Sequence, residues 1–310
     1  MHRTTSTILP LIASLALALS IASPVRAETI TDAAGRTVEI ADRSRIVSIG
    51  SPVTEILWAL GLQSKIVGVD TTSIYPPAAE DMPDVGYMRQ LTAEGVLSLK
   101  PTLVLAVDGS GPQDVIDVLE QAAVPFVIIP NEPTGQGVLA KIRAVADAAG
   151  EIDKGEDLAR SVEADLATVE AAVSKIQDRR KVAFVMSMQS GAPLVAGSHT
   201  SAEGMFELAG AVNAFSDIEG FKPATPEAVV TAAPEAIVTM TTGPHETTKA
   251  ALAASAFATT PAVASGRISN FDGVYLLGFG PRVANAARDL AKAIYPDTDW
   301  PDLPPHPWTK

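Results

Sequence analysis

The sequence predicts an α/β protein of two similar lobes, each a mostly parallel sheet with flanking helices, joined by one long α-helix. Three features of the 310-residue chain predict it. Apolar runs of strand length alternate with helical segments in both halves, as in parallel sheets covered by helices. A unit of the first half recurs in the second, and an amphipathic segment separates the two. A unit repeated once at so long a distance favours two lobes over a solenoid of short repeats.

The first half opens with a predicted hairpin over residues 28–40 that turns at Gly35. Predicted strands follow at 46–49, 66–69, 103–106 and 126–129, with helical segments between them. Ser51 is expected to cap the first helix, with Pro52 in the first turn, where a missing N–H costs nothing. That helix is expected to stop at Gly61.

The repeated unit contains a short apolar helix, a proline and a strand. Thr92, Glu94, Val96, Pro101 and Val104 recur at a constant offset of 133 residues as Thr225, Glu227, Val229, Pro234 and Ile237. A random surface charge would not recur in this way. Glu94 and Glu227 are therefore expected to occupy equivalent places on the two lobes.

One amphipathic segment lies between the halves. Its apolar residues are spaced by 4, 4, 3, 4 and 3 positions, at Leu158, Val162, Leu166, Val169, Val173 and Ile176. This spacing predicts a helix over about 154–176. At about 1.5 Å per residue, such a helix spans roughly 35 Å, the width of a small domain. An ordinary surface helix of one lobe is the alternative, but the position between the repeats favours a connecting rod.

The second half has predicted strands at 182–186, 194–196, 236–240 and 268–271. Its Gly197-Ser198-His199 parallels Gly50-Ser51-Pro52, and each leads into an apolar helix. We therefore expect two Rossmann-like lobes and a tail. The N-terminal lobe covers 28–150, the connecting helix 151–178, the C-terminal lobe 179–297, and the Pro-rich tail 298–310. The tail, with Trp300 and Trp308, is expected to lie along the surface as extended chain.

The first 27 residues are expected to be a signal peptide. His2 and Arg3 precede an apolar run over 8–22, and small residues precede a cut after Ala27. The run is too short for a spanning helix, which needs about 20 residues. The chain has no cysteine, so it has no disulfide and no cysteine for lipid attachment. These features predict a freely soluble periplasmic protein.

The charge balance bears on possible partners. The full chain carries a formal charge of −13, and the loss of Arg3 and Arg26 with the signal peptide takes it to −15. Such a balance disfavours nucleic acid and anionic membrane surfaces as partners.

Three separated motifs resemble a known family. They are Gly86-Tyr87-Met88-Arg89-Gln90-Leu91-Thr92-Ala93-Glu94-Gly95, then Val195-Ala196-Gly197 with Thr200, and Leu276-Leu277-Gly278-Phe279-Gly280-Pro281-Arg282. Together with the two lobes and the long helix, they resemble the periplasmic binding proteins of the cobalamin, siderophore and haem importers. The first motif is similar to the signature of the haem-carrying branch. The resemblance covers residues 28–297 and implies that haem is the transported ligand.

The resemblance implies that Tyr87 binds the haem iron and that Arg89 supports it. Ferric iron is a hard centre, and a tyrosine phenolate is one of its axial ligands in haem proteins. Free tyrosine has a pKa of about 10, so a neighbouring positive charge must favour the phenolate. Arg89 can donate to the phenolate if the local chain is extended. The alternative is a core tyrosine with a satisfied hydroxyl.

Four further residues are candidates for the binding pocket. Tyr75, between Ile74 and a pair of prolines, and Tyr275 are expected to form pocket walls from opposite lobes, and Arg282 ends the third motif. His199 lies in a loop after a predicted strand, and such loops face the crevice in α/β sheets. Relatives with a histidine ligand in the second lobe make it a candidate contact. A solvent-facing histidine at a helix start is the alternative.

The resemblance also implies the partners. Glu94 and Glu227 would dock onto arginines of the two permease subunits of an ATP-driven ABC importer, with its ATPase subunits. Each glutamate is alternatively a solvated charge at a helix start, where the helix dipole favours it. We expect a monomer that binds haem and no nucleic acid.

The same residues bear on other possible functions. A carrier of a ferric siderophore is the main alternative, because tyrosine and arginine also serve such ligands. A cobalamin carrier would need several aromatics facing the ring, whereas Trp58 lies on a core-facing helix. A bare-metal carrier needs clustered histidines, and His199, His245 and His306 lack ligand spacing. The sequence contains no nucleophile elbow, metal-hydrolase motif, P-loop or dinucleotide fingerprint, so no enzyme is expected.

Overall fold

The computed structural model of the protein describes residues 27–189, 192–241 and 247–309. The expected signal peptide, apart from Ala27, lies outside the described residues, and so does His245. None of the helices in these ranges has the length and apolar character that crossing a bilayer requires.

The first lobe contains an antiparallel hairpin and a fully parallel sheet. The hairpin pairs β1 (Glu28–Thr31) with β2 (Thr37–Ile40) around Gly35, whose φ is 75°. The sheet strands are β3 (Ile46–Ile49), β4 (Ile66–Val69), β5 (Leu103–Val107) and β6 (Phe126–Ile129), in the order β4-β3-β5-β6. Parallel strands that are buried on both faces appear in the sequence as continuous apolar runs. The predicted bounds of these strands therefore lie close to the observed ones.

The helices that cover this sheet are α1 (Ser51–Ala59), α2 (Ala93–Ser98), α3 (Gln113–Gln121) and α4 (Gly135–Ala149). The predicted cap of α1 was wrong. Gly50 is the N-cap, with a φ of 101°, and Ser51 is the first helical residue, with no capping hydrogen bond from a side chain. A Cβ on Gly50 would lie 2.5 Å from Cγ1 of Val107, so both the backbone angle and the packing require glycine there.

The second lobe contains a mixed sheet. Its strands are β7 (Lys181–Gln189), β8 (Ala192–Ala196), β9 (Val212–Asn213), β10 (Phe221–Pro223), β11 (Ala236–Met240) and β12 (Ile268–Phe271). The order is β10-β8-β7-β11-β12, with β9 also paired to β7. β7 runs parallel to β9 and β11, and β11 parallel to β12, whereas β8 is antiparallel to its neighbours. The predicted strands at 182–186 and 194–196 were too short, because β7 and β8 extend beyond their apolar runs.

A single helix, α5 (Ile152–Val173), connects the lobes. It packs against α4 of the first lobe and against α11 (Val283–Ile294) of the second, with Leu158, Val162 and Val169 buried. The remaining helices of the second lobe are α6 (Ser201–Leu208), α7 (Pro226–Ala232), α8 (Lys249–Ala253), α9 (Pro261–Ala264) and α10 (Gly273–Leu277). The predicted two-lobe α/β fold with one long connecting helix is confirmed.

The repeated unit has the same local structure in both lobes. The Thr92 side chain caps α2 by accepting from the Gly95 N–H, and that of Thr225 caps α7 by accepting from the Ala228 N–H. The chain then leaves each helix through a residue with positive φ at an equivalent position, Lys100 at 49° and Ala233 at 43°. Both lobes therefore carry a glutamate in the first turn of the equivalent helix.

The C-terminal tail follows α11. Between 301 and 306 it has no regular structure, and a short 3-10 helix follows at Pro307–Thr309. Trp300 and Trp308 are partly buried against the core, and the rings of His306 and Trp308 stack with their centroids 4.3 Å apart. Nε2 of His306 lies 2.9 Å from Oδ2 of Asp165 on α5. The tail therefore packs onto the connecting helix as well as along the surface.

Candidate functional site

A cleft of about 340 Å³ lies between the two lobes. The first lobe contributes Met88, Arg89 and Asn131 among others, and the second contributes His199, Phe221 and Leu277. Several of these residues follow the carboxyl ends of strands, where ligands bind in open α/β sheets. The cleft thus offers apolar walls from both lobes and basic side chains on opposite sides.

Tyr87 adjoins this cleft through Arg89, which lines it. The Tyr87 side chain is 37% exposed, and Nη1 of Arg89 donates to its hydroxyl oxygen at 3.1 Å. The contact forms without the extended chain that was its stated condition, because the N–H of Gln90 donates to the Tyr87 carbonyl at 2.7 Å and closes a turn. This turn places two side chains that are two residues apart on the same side. An exposed phenol beside a guanidinium is therefore available to a ligand.

The loop that carries this pair is anchored on both sides. The N–H of Val85 donates to the Val69 carbonyl at 2.9 Å, and the N–H of Gly111 donates to the Met88 carbonyl at 2.8 Å. Gly86 has a φ of 95°, a conformation that favours glycine. These contacts fix the backbone of the loop relative to the parallel sheet, so the phenol has a defined position.

His199 lies on the opposite wall of the cleft. Its φ is 58°, an uncommon backbone conformation for a residue other than glycine, and its side chain is exposed. Its N–H donates to Oε2 of Glu203 at 2.8 Å, and Thr200 caps α6. The expected equivalence with Pro52 was wrong, because His199 precedes the N-cap residue whereas Pro52 lies inside α1. His199 therefore faces the cleft from a turn.

Tyr75, Tyr275 and Arg282 do not line this cleft. They lie together around a separate cavity of about 510 Å³. The guanidinium of Arg282 lies 3.4 Å from the centre of the Tyr75 ring and 5.1 Å from that of Tyr275. It also binds both carboxylate oxygens of the buried Glu55, at 2.7 and 2.9 Å. Arg282 of the second lobe is thus paired with Glu55 of the first lobe. These residues therefore form part of the contact between the lobes.

The two tyrosines of this second group are poor candidates for an iron ligand. Burial raises the pKa of Tyr75, and burial together with the neighbouring Asp289 carboxylate raises the pKa of Tyr275 far above its usual range. The Tyr275 hydroxyl donates to Oδ2 of Asp289 at 2.8 Å, and that of Tyr75 donates to the Trp308 carbonyl at 3.1 Å. Both sites favour the neutral phenol, whereas iron needs the phenolate.

Two buried charged residues were missed by the reasoning from sequence. Glu55 is only 5% exposed and Lys141 is fully buried, and both belong to helices next to the cleft. Each interrupts an apolar run, Glu55 before Ile56-Leu57 and Lys141 before Ile142. The sequence signal that could have identified both residues is a charged side chain on the apolar face of a helix. Within the described ranges, no group of three or more His, Asp or Glu residues is arranged to hold a bare metal ion.

The chain is similar to a protein family and to solved structures. A family model described as periplasmic binding protein matches residues 46–275. The periplasmic heme-binding protein RhuT from Roseiflexus sp. RS-1, in apo form, superposes with a TM-score of 0.77 and 37% identity, covering 82% of this chain and 99% of that one. The periplasmic heme-binding protein BhuT in complex with two hemes gives a TM-score of 0.76 and 36% identity, covering 81% and 97%.

Two sequence relatives have different descriptions. The uncharacterized ABC transporter substrate-binding lipoprotein YvrC of Bacillus subtilis is 32% identical over 274 residues, which is 87% of this chain and 86% of that protein. The vitamin B12-binding protein of Pectobacterium atrosepticum is 26% identical over 183 residues, 58% of this chain and 65% of that protein. The similarities therefore extend over both lobes and the helix between them.

Proposed function

The chain belongs to the periplasmic binding protein family, and on that premise we propose that it captures haem in the cleft between its lobes and delivers it to an ABC importer. The observation that carries the proposal is the exposed Tyr87 residue, whose hydroxyl lies 3.1 Å from the guanidinium of Arg89, a residue that lines the inter-lobe cleft. A phenolate is a ligand for ferric haem iron, and a guanidinium donor favours the charged form of a phenol.

The surroundings of the pair suit a porphyrin. Met88, Phe221 and Leu277 supply apolar surface from both walls, as is usual for sites that bind flat organic ligands. His199 presents its side chain from the second lobe, which makes it the candidate for contact with the opposite face of the ring. We assign the role of iron ligand to Tyr87 and that of its support to Arg89. Tyr75, Tyr275 and Arg282 are assigned to the contact between the lobes.

The proposed route of delivery uses the repeated glutamates. Glu94 and Glu227 are exposed in the first turns of α2 and α7, at equivalent points of the two lobes. A permease dimer presents two similar surfaces, so one glutamate on each lobe matches its symmetry. We further propose that the chain acts in the periplasm as a monomer, after cleavage of the signal peptide behind Ala27.

A ferric siderophore or cobalamin is the competing ligand. Cobalamin gains support from the vitamin B12-binding relatives, and siderophores from the exposed tyrosine and arginine. We expect hemin to saturate the purified protein at one or two equivalents with a new absorption band, while cyanocobalamin and a ferric siderophore leave tryptophan fluorescence unchanged. Saturable binding of either competitor, with no hemin-dependent band, would overturn the proposal.

A variant of Arg89 tests its role. The Arg89 guanidinium donates to the Tyr87 hydroxyl oxygen at 3.1 Å, and a charged donor would also contact that oxygen when it binds iron. Arg89→Ala should therefore weaken hemin binding and shift the tyrosinate absorption band, with Arg160→Ala on the exposed face of α5 as the control. Titration with hemin measures both effects. A loss of affinity with an unshifted band would mean that Arg89 contacts only the haem propionates.

A further inference from the structure

Lys141 is a charged side chain in an unusual place. It belongs to α4 and has no exposed surface, and it is among the largest fully buried side chains of the described residues. Lysine is almost never fully buried without a partner, because its ammonium loses its hydration. Among the described residues, its hydrogen bonds go to two neutral oxygens, Oδ1 of Asn131 at 2.8 Å and the carbonyl of Phe279 at 3.1 Å.

These two oxygens belong to opposite walls of the cleft. Asn131 follows β6 in the first lobe, and Phe279 follows α10 in the second, and both residues line the cleft. The Lys141 amino group therefore joins the two walls of the cleft through these two hydrogen bonds. Phe279 has a φ of 50°, so the segment that it belongs to holds an uncommon backbone conformation at the point of contact.

A second polar contact joins the two lobes close to the Lys141 hydrogen bonds. Arg282, three residues after Phe279, binds Glu55 of α1 with two hydrogen bonds. A Cβ on Gly280 would lie 3.1 Å from Oε2 of Glu55, so the segment between Phe279 and Arg282 is pressed against the first lobe. The Glu55–Arg282 and Lys141–Phe279 contacts bracket this segment.

The Phe279 segment also contacts the wall of the cleft that carries His199. A Cβ on Gly204 of α6 would lie 3.3 Å from Cζ of Phe279 and 2.1 Å from the carbonyl oxygen of Pro133 in the first lobe. The Phe279 ring thus packs against the helix that begins two residues after His199, at a point where the two lobes approach closely. A displacement of Phe279 would move that wall.

We propose that Lys141 is a positioning residue that ties the two walls of the cleft together and thereby sets the width of the binding site. That haem is the ligand rests on the proposed function; the tie between the lobes does not. Lys141 acts through Asn131 and Phe279 and is not itself a ligand contact. Removing its donors leaves two oxygens without a partner and releases the Phe279 segment.

The absence of cysteine from the chain allows the tie to be measured directly. Ser98→Cys and Thr231→Cys place spin labels on exposed, equivalent positions of the two repeats. We expect pulsed dipolar EPR to give a narrow distance distribution in this background and a broader one when Lys141→Met is added. Lys141→Gln keeps a donor for the Phe279 carbonyl and should restore most of the narrow distribution, and Lys154→Met, at an exposed lysine of α5, should leave it unchanged. An unaltered distribution in Lys141→Met would overturn the proposal.

Hemin titration supplies the second readout. Lys141→Met should weaken hemin binding about tenfold, Lys141→Gln should recover part of the loss, and the iron spectrum should keep its form because Tyr87 is intact. Unchanged affinity in Lys141→Met would refute the positioning role. If the wild type itself binds no hemin, the proposed function fails, and the distance measurement still decides whether Lys141 ties the lobes.

The pH dependence of stability tests whether Lys141 is buried in solution as the structure has it. Burial lowers the pKa of Lys141 from 10.5 to about 7, against the attraction of Glu55, which itself lies near Arg282 and Asp272. Between these two values only the unfolded chain binds the proton, so stability rises with pH across the window and the gain is lost as pH falls to about 7.

Relative to Lys141→Met, the unfolding equilibrium constant of the wild type should therefore fall by up to about tenfold per pH unit between about pH 7 and pH 9.5. Groups common to both proteins cancel in this ratio. Denaturant titrations at each pH measure it. A ratio that stays constant would mean that Lys141 is not held in this buried position, and the proposal would fail.

Discussion

Replacing Tyr87 with alanine is expected to abolish the tyrosinate absorption of the hemin-loaded protein and to weaken hemin binding about 100-fold or more, roughly 2.7 kcal/mol. Tyr87 is exposed beside the cleft, and Arg89, which lines the cleft, donates to its hydroxyl oxygen at 3.1 Å. The variant removes the proposed ligand atom while leaving the anchored backbone of the loop intact. Absorption titration with hemin measures both effects.

Tyr75→Phe is the matched control for this prediction. It removes a hydroxyl that donates to the Trp308 carbonyl, keeps the ring beneath Arg282, and lies outside the cleft. Hemin affinity and spectrum should be those of the wild type. If Tyr87→Ala kept the wild-type spectrum, or if Tyr75→Phe lost it, the assignment of the iron ligand would be wrong.

Reversing both repeated glutamates, as Glu94→Lys with Glu227→Lys, should leave hemin titration unchanged and reduce haem-stimulated ATP hydrolysis by the reconstituted importer about tenfold or more. Each exposed ion pair contributes only about 0–1 kcal/mol, but reversal replaces attraction with repulsion at two equivalent points. ATP hydrolysis in proteoliposomes, with increasing concentrations of loaded binding protein, measures the effect. The single variants should fall between.

Glu163→Lys with Glu170→Lys is the control for this experiment. Both residues are exposed on α5, so the double variant changes the net charge equally without touching α2 or α7. It should stimulate the importer as well as the wild type does. Full stimulation by the Glu94/Glu227 variant would make these glutamates simple helix-start charges, and equal loss in both double variants would make the effect one of net charge.

Much of the fold could be predicted because its signals are local. Buried parallel strands such as Ile46–Ile49 and Ala236–Met240 read as apolar runs, and the strand bounds agree. The repeated Thr92 and Thr225 predicted two equivalent helix starts, and both residues are caps. The antiparallel position of β8 was not predicted, because an apolar run does not indicate its direction.

The candidate site likewise contains contacts that could be predicted from the sequence and contacts that could not. The contact between Tyr87 and Arg89 spans two residues, and the resemblance of their motif to the haem-carrying branch implied it. The contact of Arg282 with Glu55 joins residues 227 positions apart, and no local pattern reveals such a partner. This is why Arg282 was expected at the ligand but lies in the contact between the lobes. Lys141 was missed for the same reason, because its hydrogen bond to the Phe279 carbonyl joins residues that are far apart in the sequence.

Resonance Raman spectroscopy of the hemin-loaded wild type and of Tyr87→Phe tests the central claim most directly, because Phe keeps the ring and removes only the oxygen. With excitation in the phenolate-to-iron charge-transfer band, we expect vibrational modes of a coordinated tyrosinate in the wild type and their complete loss in Tyr87→Phe. A wild-type complex without tyrosinate modes, or a Tyr87→Phe complex that retains them, would contradict the proposal that this protein holds haem through Tyr87.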